Sequence, residues 1–247
     1  MVFNSLNFLI FFTILLFCYH KLDKTKQNYL LLISSYIFYS FWNLKYSFLI
    51  LISTLVDFYC GKKSIEKKGK FYLYFSIIIN LGLLIYFKYS LFLSELIFTN
   101  RPEYILNNIL LPVGISFYTF QSMSYTIDCY NKKIKPVNSF TTFALYVSYF
   151  PQMVAGPIER ANRLLPQFSN KRVSFSKLKN GFNIILIGLV YKIVLADNLS
   201  QVVDEIFFNY KNLNGGELTL GALYFGGQIY GDFLGYSLIA IGTSKML

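Results

Sequence analysis

Apolar, largely uncharged segments recur along the whole chain, and short polar connections separate them. Most are close to the ~20 residues with which a helix crosses the hydrocarbon core of a bilayer. Because hydrocarbon cannot hydrogen-bond to free backbone groups, we predict helices rather than open strands. The segments are residues 3–19, 29–60, 71–89, 109–130, 140–153, 180–196 and 218–242.

The composition supports a membrane setting. Hydrophobic residues make up 55% of the chain and charged residues 14%, against roughly 25% charged residues in a soluble domain. No polar stretch between the segments is long enough to fold separately. We therefore predict an all-α integral membrane protein in which residues 1–247 form a single membrane-embedded domain. The sequence WNLK at 42–45 should divide segment 29–60 into a hairpin of two helices.

Residues that commonly carry chemistry are scarce. The three cysteines are far apart and odd in number, which favours neither a disulfide framework nor a metal site. The single histidine, His20, lies where the first apolar segment meets a basic connection, so we interpret it as an interfacial residue rather than a catalytic base. The cysteines are Cys18, Cys60 and Cys129.

Lysine and arginine placement predicts the orientation of the segments, because cytoplasmic loops carry the excess of positive charge. Connections rich in lysine alternate with connections that hold one basic residue each, which places the N-terminus outside. The net charge of +11 then comes mostly from lysines at the cytoplasmic membrane face, and no nucleic-acid partner is predicted. The basic connections are 20–28, 61–70 and 131–139, and the weakly charged ones are 42–45 and 90–108.

Segment 140–153 does not fit this alternation as a full crossing. The connection before it is basic, and residues 158–179 after it carry six further basic residues. The stretch YFPQMVAGPIERANRLLPQF at 149–168 holds three of the six prolines, and proline interrupts helices. Exposed backbone at membrane depth is tolerated only where protein or a polar cavity covers it. We therefore predict a re-entrant segment that forms one wall of a site.

Charged residues inside the apolar segments are costly and tend to mark functional sites. Asp232 lies far inside segment 218–242, where Gly227, Gly231 and Gly235 recur at every fourth position. This spacing lines small residues along one helix face and permits close helix packing. A packing role and a cavity-lining role for Asp232 both stay open. Four other charged residues lie near segment ends and are interpreted as snorkelling or capping residues, namely Asp57, Lys88, Asp128 and Lys192.

Several blocks of the sequence resemble the membrane-bound O-acyltransferase family, in particular the bacterial branch that acetylates alginate and other cell-surface polysaccharides. The blocks are LPVGISFYTFQSMSYTIDCY, FALYVSYFPQMVAGPIERANRLLPQF, KIVLADNL and QIYGDFLGYSLIAIG, and the helices before them are similar as well. The resemblance implies a ring of tilted helices around a tunnel, with re-entrant pieces. Through this tunnel an acyl group from a cytoplasmic donor reaches an acceptor on the far side.

The resemblance also implies ligands, partners and a location. The donor would be acetyl-CoA or an acyl carrier and the acceptor a polysaccharide, with membrane lipids and a periplasmic acetyltransferase as partners. The chain would be a multi-pass protein of the bacterial inner membrane. Arg160 and Arg163 could instead face anionic lipid. The candidate cavity-lining residues are Gln152, Arg160, Asp232, Tyr236 and Ser237.

Two departures from the family pattern bear on activity. Family members continue past the position that matches Leu247, and their tryptophan-histidine motif and catalytic histidine lie in that later portion. We therefore expect a truncated, N-terminal portion of the fold that contains no catalytic residue and is inactive alone. In addition, Gly231, Leu234 and Leu238 stand where the branch has an aromatic residue or cysteine, a serine and an aspartate.

Two alternatives stay open from the residues alone. A transporter-like membrane protein would also have broken helices and an aspartate at the membrane midplane, although the broken segment has no internal repeat here. A non-catalytic membrane scaffold, completed by a separate polypeptide, would share every feature described above.

Overall fold

The computed structural model describes residues 1–97, 111–153, 156, 159–169 and 174–247, and all regular structure in these residues is helical. The α-helices are α1 (Leu6–His20), α2 (Lys24–Ser40), α3 (Leu44–Lys63), α4 (Gly69–Leu84), α5 (Ser90–Ile97), α6 (Ile115–Tyr130), α7 (Phe140–Ser148), α8 (Phe150–Met153), α9 (Ala161–Ser169), α10 (Phe175–Leu189), α11 (Asp197–Phe208) and α12 (Gly215–Met246). Two π-helical turns, Ile85–Tyr89 and Val190–Ala196, connect α4 to α5 and α10 to α11. The predicted all-α class is confirmed.

In the described part of the chain, three helical stretches are long and apolar enough to cross a membrane, namely Leu44–Lys63, Gly69–Tyr89 and Phe175–Phe208. The chain is therefore a membrane protein. The other predicted segments form helices that are shorter or less apolar than these three. The start of predicted segment 109–130 lies outside the described residues, and α6 begins only after Gly114, whose φ of 72° is left-handed.

The hairpin predicted at WNLK is confirmed. Helix α2 ends at Ser40 and α3 begins at Leu44. The Asn43 side chain accepts a hydrogen bond from the Lys45 backbone N–H and caps the start of α3. Asparagine is a favoured residue at this position because its side chain satisfies a backbone donor that the first helical turn leaves free.

The helix break predicted near Pro151 is present. Helix α7 ends at Ser148, and Tyr149 adopts a non-helical backbone with ψ of 106°. Pro151 has no N–H with which to bond the Val147 carbonyl, so α7 cannot continue through it. A new short helix, α8, then begins at Phe150, with Pro151 in the first turn where a missing donor costs little. Residues 154, 155, 157 and 158 of the predicted re-entrant stretch lie outside the described residues.

The chain divides into two compact units. The central unit comprises Asp23–Met153 and Ile158–Lys171, and the terminal unit comprises Met1–Leu22, Val154–Pro157 and Arg172–Leu247. The prediction of a single membrane-embedded domain stays a prediction.

Helices α3, α4 and α6 of the central unit are joined by buried polar side chains. Asp57 on α3 accepts hydrogen bonds from Ser76 Oγ (2.5 Å) and Asn80 Nδ2 (2.9 Å to each carboxylate oxygen) on α4. Thr126 Oγ1 on α6 donates to the same carboxylate at 3.4 Å. Ser53 Oγ donates to Asn80 Oδ1 at 2.7 Å, so the amide is bonded at both its ends.

In the terminal unit, α12 packs along the continuous helix formed by α10, the second π-turn and α11. Glycines form the closest contacts of this pair. A Cβ atom on Gly242 would lie 2.6 Å from the Gly181 carbonyl oxygen, and one on Gly235 would lie 2.9 Å from the Gly188 carbonyl oxygen. Neighbouring helices gain little from excluding lipid, so such close backbone approach is a main source of their association. Helix α1 joins this unit through the Tyr19 hydroxyl, which donates to the Leu247 carbonyl.

Candidate functional site

Charged residues of the terminal unit meet around Lys192. Its Nζ lies 2.6 Å from Asp197 Oδ1 and 2.6 Å from Asp232 Oδ1. The Lys192 side chain is 13% exposed, whereas Asp232 and Asp197 are 34% and 41% exposed. Lys192 Nζ also lies 5.3 Å from the centre of the Tyr236 ring. We call these four residues the Lys192 cluster, and it carries two carboxylates against one ammonium group.

The π-turn Val190–Ala196 places two members of this cluster on the same side of their helix. Lys192 and Asp197 are five residues apart, which in an α-helix would separate their side chains by about 140° around the axis. In the π-turn the Asp197 backbone N–H bonds to the Lys192 carbonyl, so residues five apart lie one turn apart. The ion pair between Lys192 and Asp197 therefore depends on the irregular helix.

Close packing of α12 brings the third charged residue into the cluster. A Cβ on Gly231 would lie 3.2 Å from both Ala196 Cβ and the Tyr191 carbonyl oxygen. Gly227 and Gly235 also face this helix, and a Cβ on Gly227 would lie 3.1 Å from Leu199 Cδ1. The prediction that glycines at every fourth position permit close packing is confirmed, and the next residue, Asp232, reaches Lys192 as a result.

This arrangement corrects the interpretation of Lys192. We expected a snorkelling or capping residue near the end of its segment. Instead Lys192 is largely buried and is itself the donor to Asp232. The sequence carried one signal for this, a lysine and an aspartate in KIVLADNL, but at a spacing that an ordinary helix would not bring together.

The other candidate residues of α12 differ in exposure. Tyr236 is half-buried beside Lys192, and Ser237 is 9% exposed. The structure thus brings Asp232 and Tyr236 together around Lys192. A cavity-lining role for Asp232, Tyr236 and Ser237 stays a prediction.

Gln152 and Arg160 belong to the central unit. Gln152 lies in α8 and is 8% exposed, and its Nε2 has no hydrogen-bond partner among the described residues. A buried amide donor without a partner is costly, and residues 154 and 155, two and three positions further along the chain, lie outside the described residues. Arg160 is exposed, directly before α9. Their role as a polar wall stays a prediction.

Asp57 also differs from its interpretation as a snorkelling or capping residue, which was wrong. Its side chain is fully buried and bonded to α4 and α6. A signal for this was present, since each of the three helices carries two polar residues four positions apart, on one face. These pairs are Ser53 and Asp57, Ser76 and Asn80, and Ser122 and Thr126.

The described residues offer carboxylates, an ammonium group and an amide donor, and the absence of a catalytic residue from this chain stays a prediction. His20, the single histidine of the sequence, is exposed at the end of α1, and its ring lies edge-on to Tyr19. Within the described part of the chain, no three histidine, cysteine, aspartate or glutamate residues could together hold a metal ion. All three cysteines are free.

Comparison with known proteins relates the chain to acetyltransferases. No protein-family model matches it. It is 36% identical to the probable alginate O-acetylase of Pseudomonas aeruginosa. This match covers the whole chain and 49% of that relative. The chain is 33% identical to the corresponding protein of Azotobacter vinelandii, over its whole length and 52% of that protein. A peptidoglycan O-acetyltransferase of Helicobacter pylori is 31% identical over 86% of the chain and 46% of the relative.

The chain spans about half the length of the curated relatives it matches. The match extends over all of the chain, and so includes the blocks that contain Gln152, Lys192 and Asp232. Together with the helical fold, it shows that the chain belongs to the membrane-bound O-acyltransferase family, in the branch of the bacterial polysaccharide O-acetyltransferases.

Proposed function

We propose that the chain forms part of an enzyme that transfers an acetyl group to hydroxyl groups of a cell-surface polysaccharide such as alginate. The observation that carries this proposal is the 36% identity to an alginate O-acetylase over the entire chain. The same observation favours an acyltransferase over a transporter or a scaffold.

The chemistry defines what this part of the enzyme can contribute. Transfer from a thioester needs a base for the proton of the acceptor hydroxyl and donors for the developing oxyanion. The partly exposed carboxylates of Asp197 and Asp232 can accept hydrogen bonds from sugar hydroxyls, while Lys192 holds both in place. The amide of Gln152 can donate to a polar ligand. The base would come from another part of the enzyme, so the chain alone should be inactive.

The donor would be acetyl-CoA or an acyl carrier on the cytoplasmic side, and the chain would cross the bacterial inner membrane several times. A periplasmic acetyltransferase could receive the acetyl group before the polysaccharide does. These assignments rest on the family resemblance and on the alternation of basic connections along the sequence.

We further infer that residues 140–168 re-enter the membrane from the cytoplasmic side. Lys62 Nζ donates to the Asn138 carbonyl at 3.3 Å, which supports a start of α7 beside the basic end of α3. At the other end of α7, the Phe150 N–H donates to Ser35 Oγ at 3.1 Å. Ser35 lies eleven residues beyond the start of α2, about 16 Å along that helix.

The return path is supported by a contact at the end of α9. Asn28 Nδ2, in the first turns of α2, lies 3.4 Å from the Phe168 carbonyl oxygen. On this path, segment 140–168 begins near one end of the central unit, reaches the level of Ser35 on α2, and comes back to the level of Asn28. Both ends of the segment are then on the predicted cytoplasmic side.

Single cysteines test this path. In a chain without the three native cysteines, Asn138→Cys and Ser174→Cys, both at exposed positions, should react with a membrane-impermeant thiol reagent only from the cytoplasmic side. Labelling of the Ser174→Cys chain from the outside would exclude the re-entrant path and leave the acyltransferase proposal standing.

Acetyl transfer tests the function itself. We expect the purified chain in liposomes to transfer no acetyl group to alginate, and a version lengthened to the size of its relatives to do so. In the lengthened version Asp232→Asn should weaken polysaccharide binding without loss of folded protein. A lengthened protein that transfers no acetyl group to polysaccharide would refute the proposal. Turnover by the chain alone that His20→Ala abolishes would contradict only the expected inactivity of the chain and the interfacial interpretation of His20.

A further inference from the structure

An open groove runs along the central unit between α2, α3 and α7. Its volume is about 820 Å³, within the range of roughly 300–1,000 Å³ that is typical of small-molecule sites. The lining residues are almost all apolar and none is charged, namely Leu32, Ile33, Tyr36, Ile37, Ser40, Phe41, Leu44, Leu51, Phe140 and Ala144.

Water is a poor occupant of this groove. A trapped water molecule needs two to four polar partners. The lining side chains offer two hydroxyl groups, and that of Ser40 is already bonded to Ser47 at 2.9 Å. An apolar occupant is therefore favoured, because it packs against side chains such as Ile37 and Leu44 without needing polar partners.

The surroundings of the groove indicate which kind of apolar molecule would bind there. Helix α3, which supplies Leu44 and Leu51, is one of the three stretches that can cross a membrane. A groove beside such a helix faces lipid hydrocarbon when the helix crosses a membrane. The lining of the groove includes Phe41 at the hairpin turn and Phe140, the first residue of α7.

We propose that this groove is a binding site for one acyl chain of a membrane phospholipid, which lies lengthwise between α2, α3 and α7. The concave walls contact the chain on several sides, so it exchanges more slowly than the lipid around a convex surface. Trp42, next to Phe41 at the hairpin turn, is of the residue type that accumulates where hydrocarbon meets the headgroups. It marks the end at which the lipid headgroup emerges.

Trp42 also provides the assay, because it is the single tryptophan of the chain. The probe is phosphatidylcholine with a brominated acyl chain, which quenches tryptophan fluorescence on contact. Added to the purified chain in detergent micelles, it should quench Trp42 with saturation near one lipid per chain. Bromine close to the ester should quench more than bromine close to the terminal methyl group.

Two positions on α3, one helical turn apart, separate groove binding from general lipid contact. Leu51→Phe adds bulk to the groove and should raise the half-saturating lipid concentration about tenfold, equivalent to about 1.4 kcal/mol. Leu55→Phe makes the same change at an exposed residue that does not line the groove, and should leave the titration unchanged. Ala144→Leu fills the groove from α7 and should act like Leu51→Phe, which keeps the test valid if one variant folds poorly.

Three results would overturn the proposal. Quenching that rises without saturation, equally in all variants, would show that the groove holds lipid no better than the rest of the surface. Loss of quenching as the chain forms dimers would identify a second copy as the occupant. Quenching in the chain but none in a lengthened version would show that the remainder of the protein covers the groove.

Discussion

Two glycines on α12 provide a matched test of its packing against α10. A Cβ on Gly242 would lie 2.6 Å from the Gly181 carbonyl oxygen and 2.6 Å from Ile185 Cγ1, whereas a Cβ on Gly226 would meet nothing within 4 Å. Both residues lie inside the same helix. The change from glycine to alanine is therefore chemically identical at the two positions, and only the surroundings differ.

The size of the effect follows from two opposing contributions. Alanine favours a helix over glycine by about 1 kcal/mol, so Gly226→Ala should stabilise the chain by about that amount. At Gly242 the same gain is opposed by overpacking, which typically costs about 1–3 kcal/mol, because non-bonded carbon atoms prefer about 3.5–4.0 Å and the obstacle is a backbone carbonyl. The two variants should then differ by about 1–3 kcal/mol.

Thermal unfolding of the purified chains in detergent measures this difference. For a chain of this length 1 kcal/mol corresponds to roughly 2–4 °C in Tm. Gly226→Ala should melt above the parent chain, and the difference between the two variants should be roughly 2–12 °C, with Gly242→Ala the lower. If Gly242→Ala melted as high as Gly226→Ala, the helices would not be in close backbone contact, and the account of how Asp232 reaches Lys192 would lose its basis.

Two further predictions concern the charged residues. Lys192→Met should leave Asp197 and Asp232 without their shared cation and lower stability by about 1 kcal/mol, a value kept small because both carboxylates are partly exposed. Adding Asp232→Asn should recover part of this loss in a double-mutant cycle of unfolding free energies, whereas strict additivity would show that the pair is not coupled. Asp57→Ala should cost about 1–3 kcal/mol because Ser76 and Asn80 lose their buried acceptor. Asp23→Ala, at an exposed residue without a capping hydrogen bond, is the matched control and should change stability by less than about 0.5 kcal/mol.

Local features of the sequence predicted much of the fold. Apolar run length predicted where helices form, Pro151 predicted where α7 ends, and the spacing of Gly227, Gly231 and Gly235 predicted the packed face of α12. In each case the physical cause lies within a few residues of its effect, so the sequence alone was sufficient.

The polar contacts between helices were not predicted, because their partners are distant along the chain. Lys192 and Asp232 are 40 residues apart, and Asp57 and Thr126 are 69 residues apart. A charged residue near the end of an apolar segment can reach the membrane surface or turn inward to a partner, and only the packing of the helices decides between these outcomes. The π-turn at Val190–Ala196 adds to the difficulty, since apolar periodicity does not reveal an irregular turn.

The π-turn at Val190–Ala196 also determines which kinds of sequence change this helix can accept. The turn absorbs one extra residue, so removing one residue from it would restore ordinary α-helix and leave the two sides in nearly the same orientation. Gly188 before the turn and Ala196 after it would then still both face α12. Substitutions at exposed residues of the turn, such as Ile193 and Val194, leave this alignment intact. The segment should therefore accept the loss of one residue, whereas the same loss within the ordinary α-helix of α10 would rotate its two sides by about 100° relative to each other.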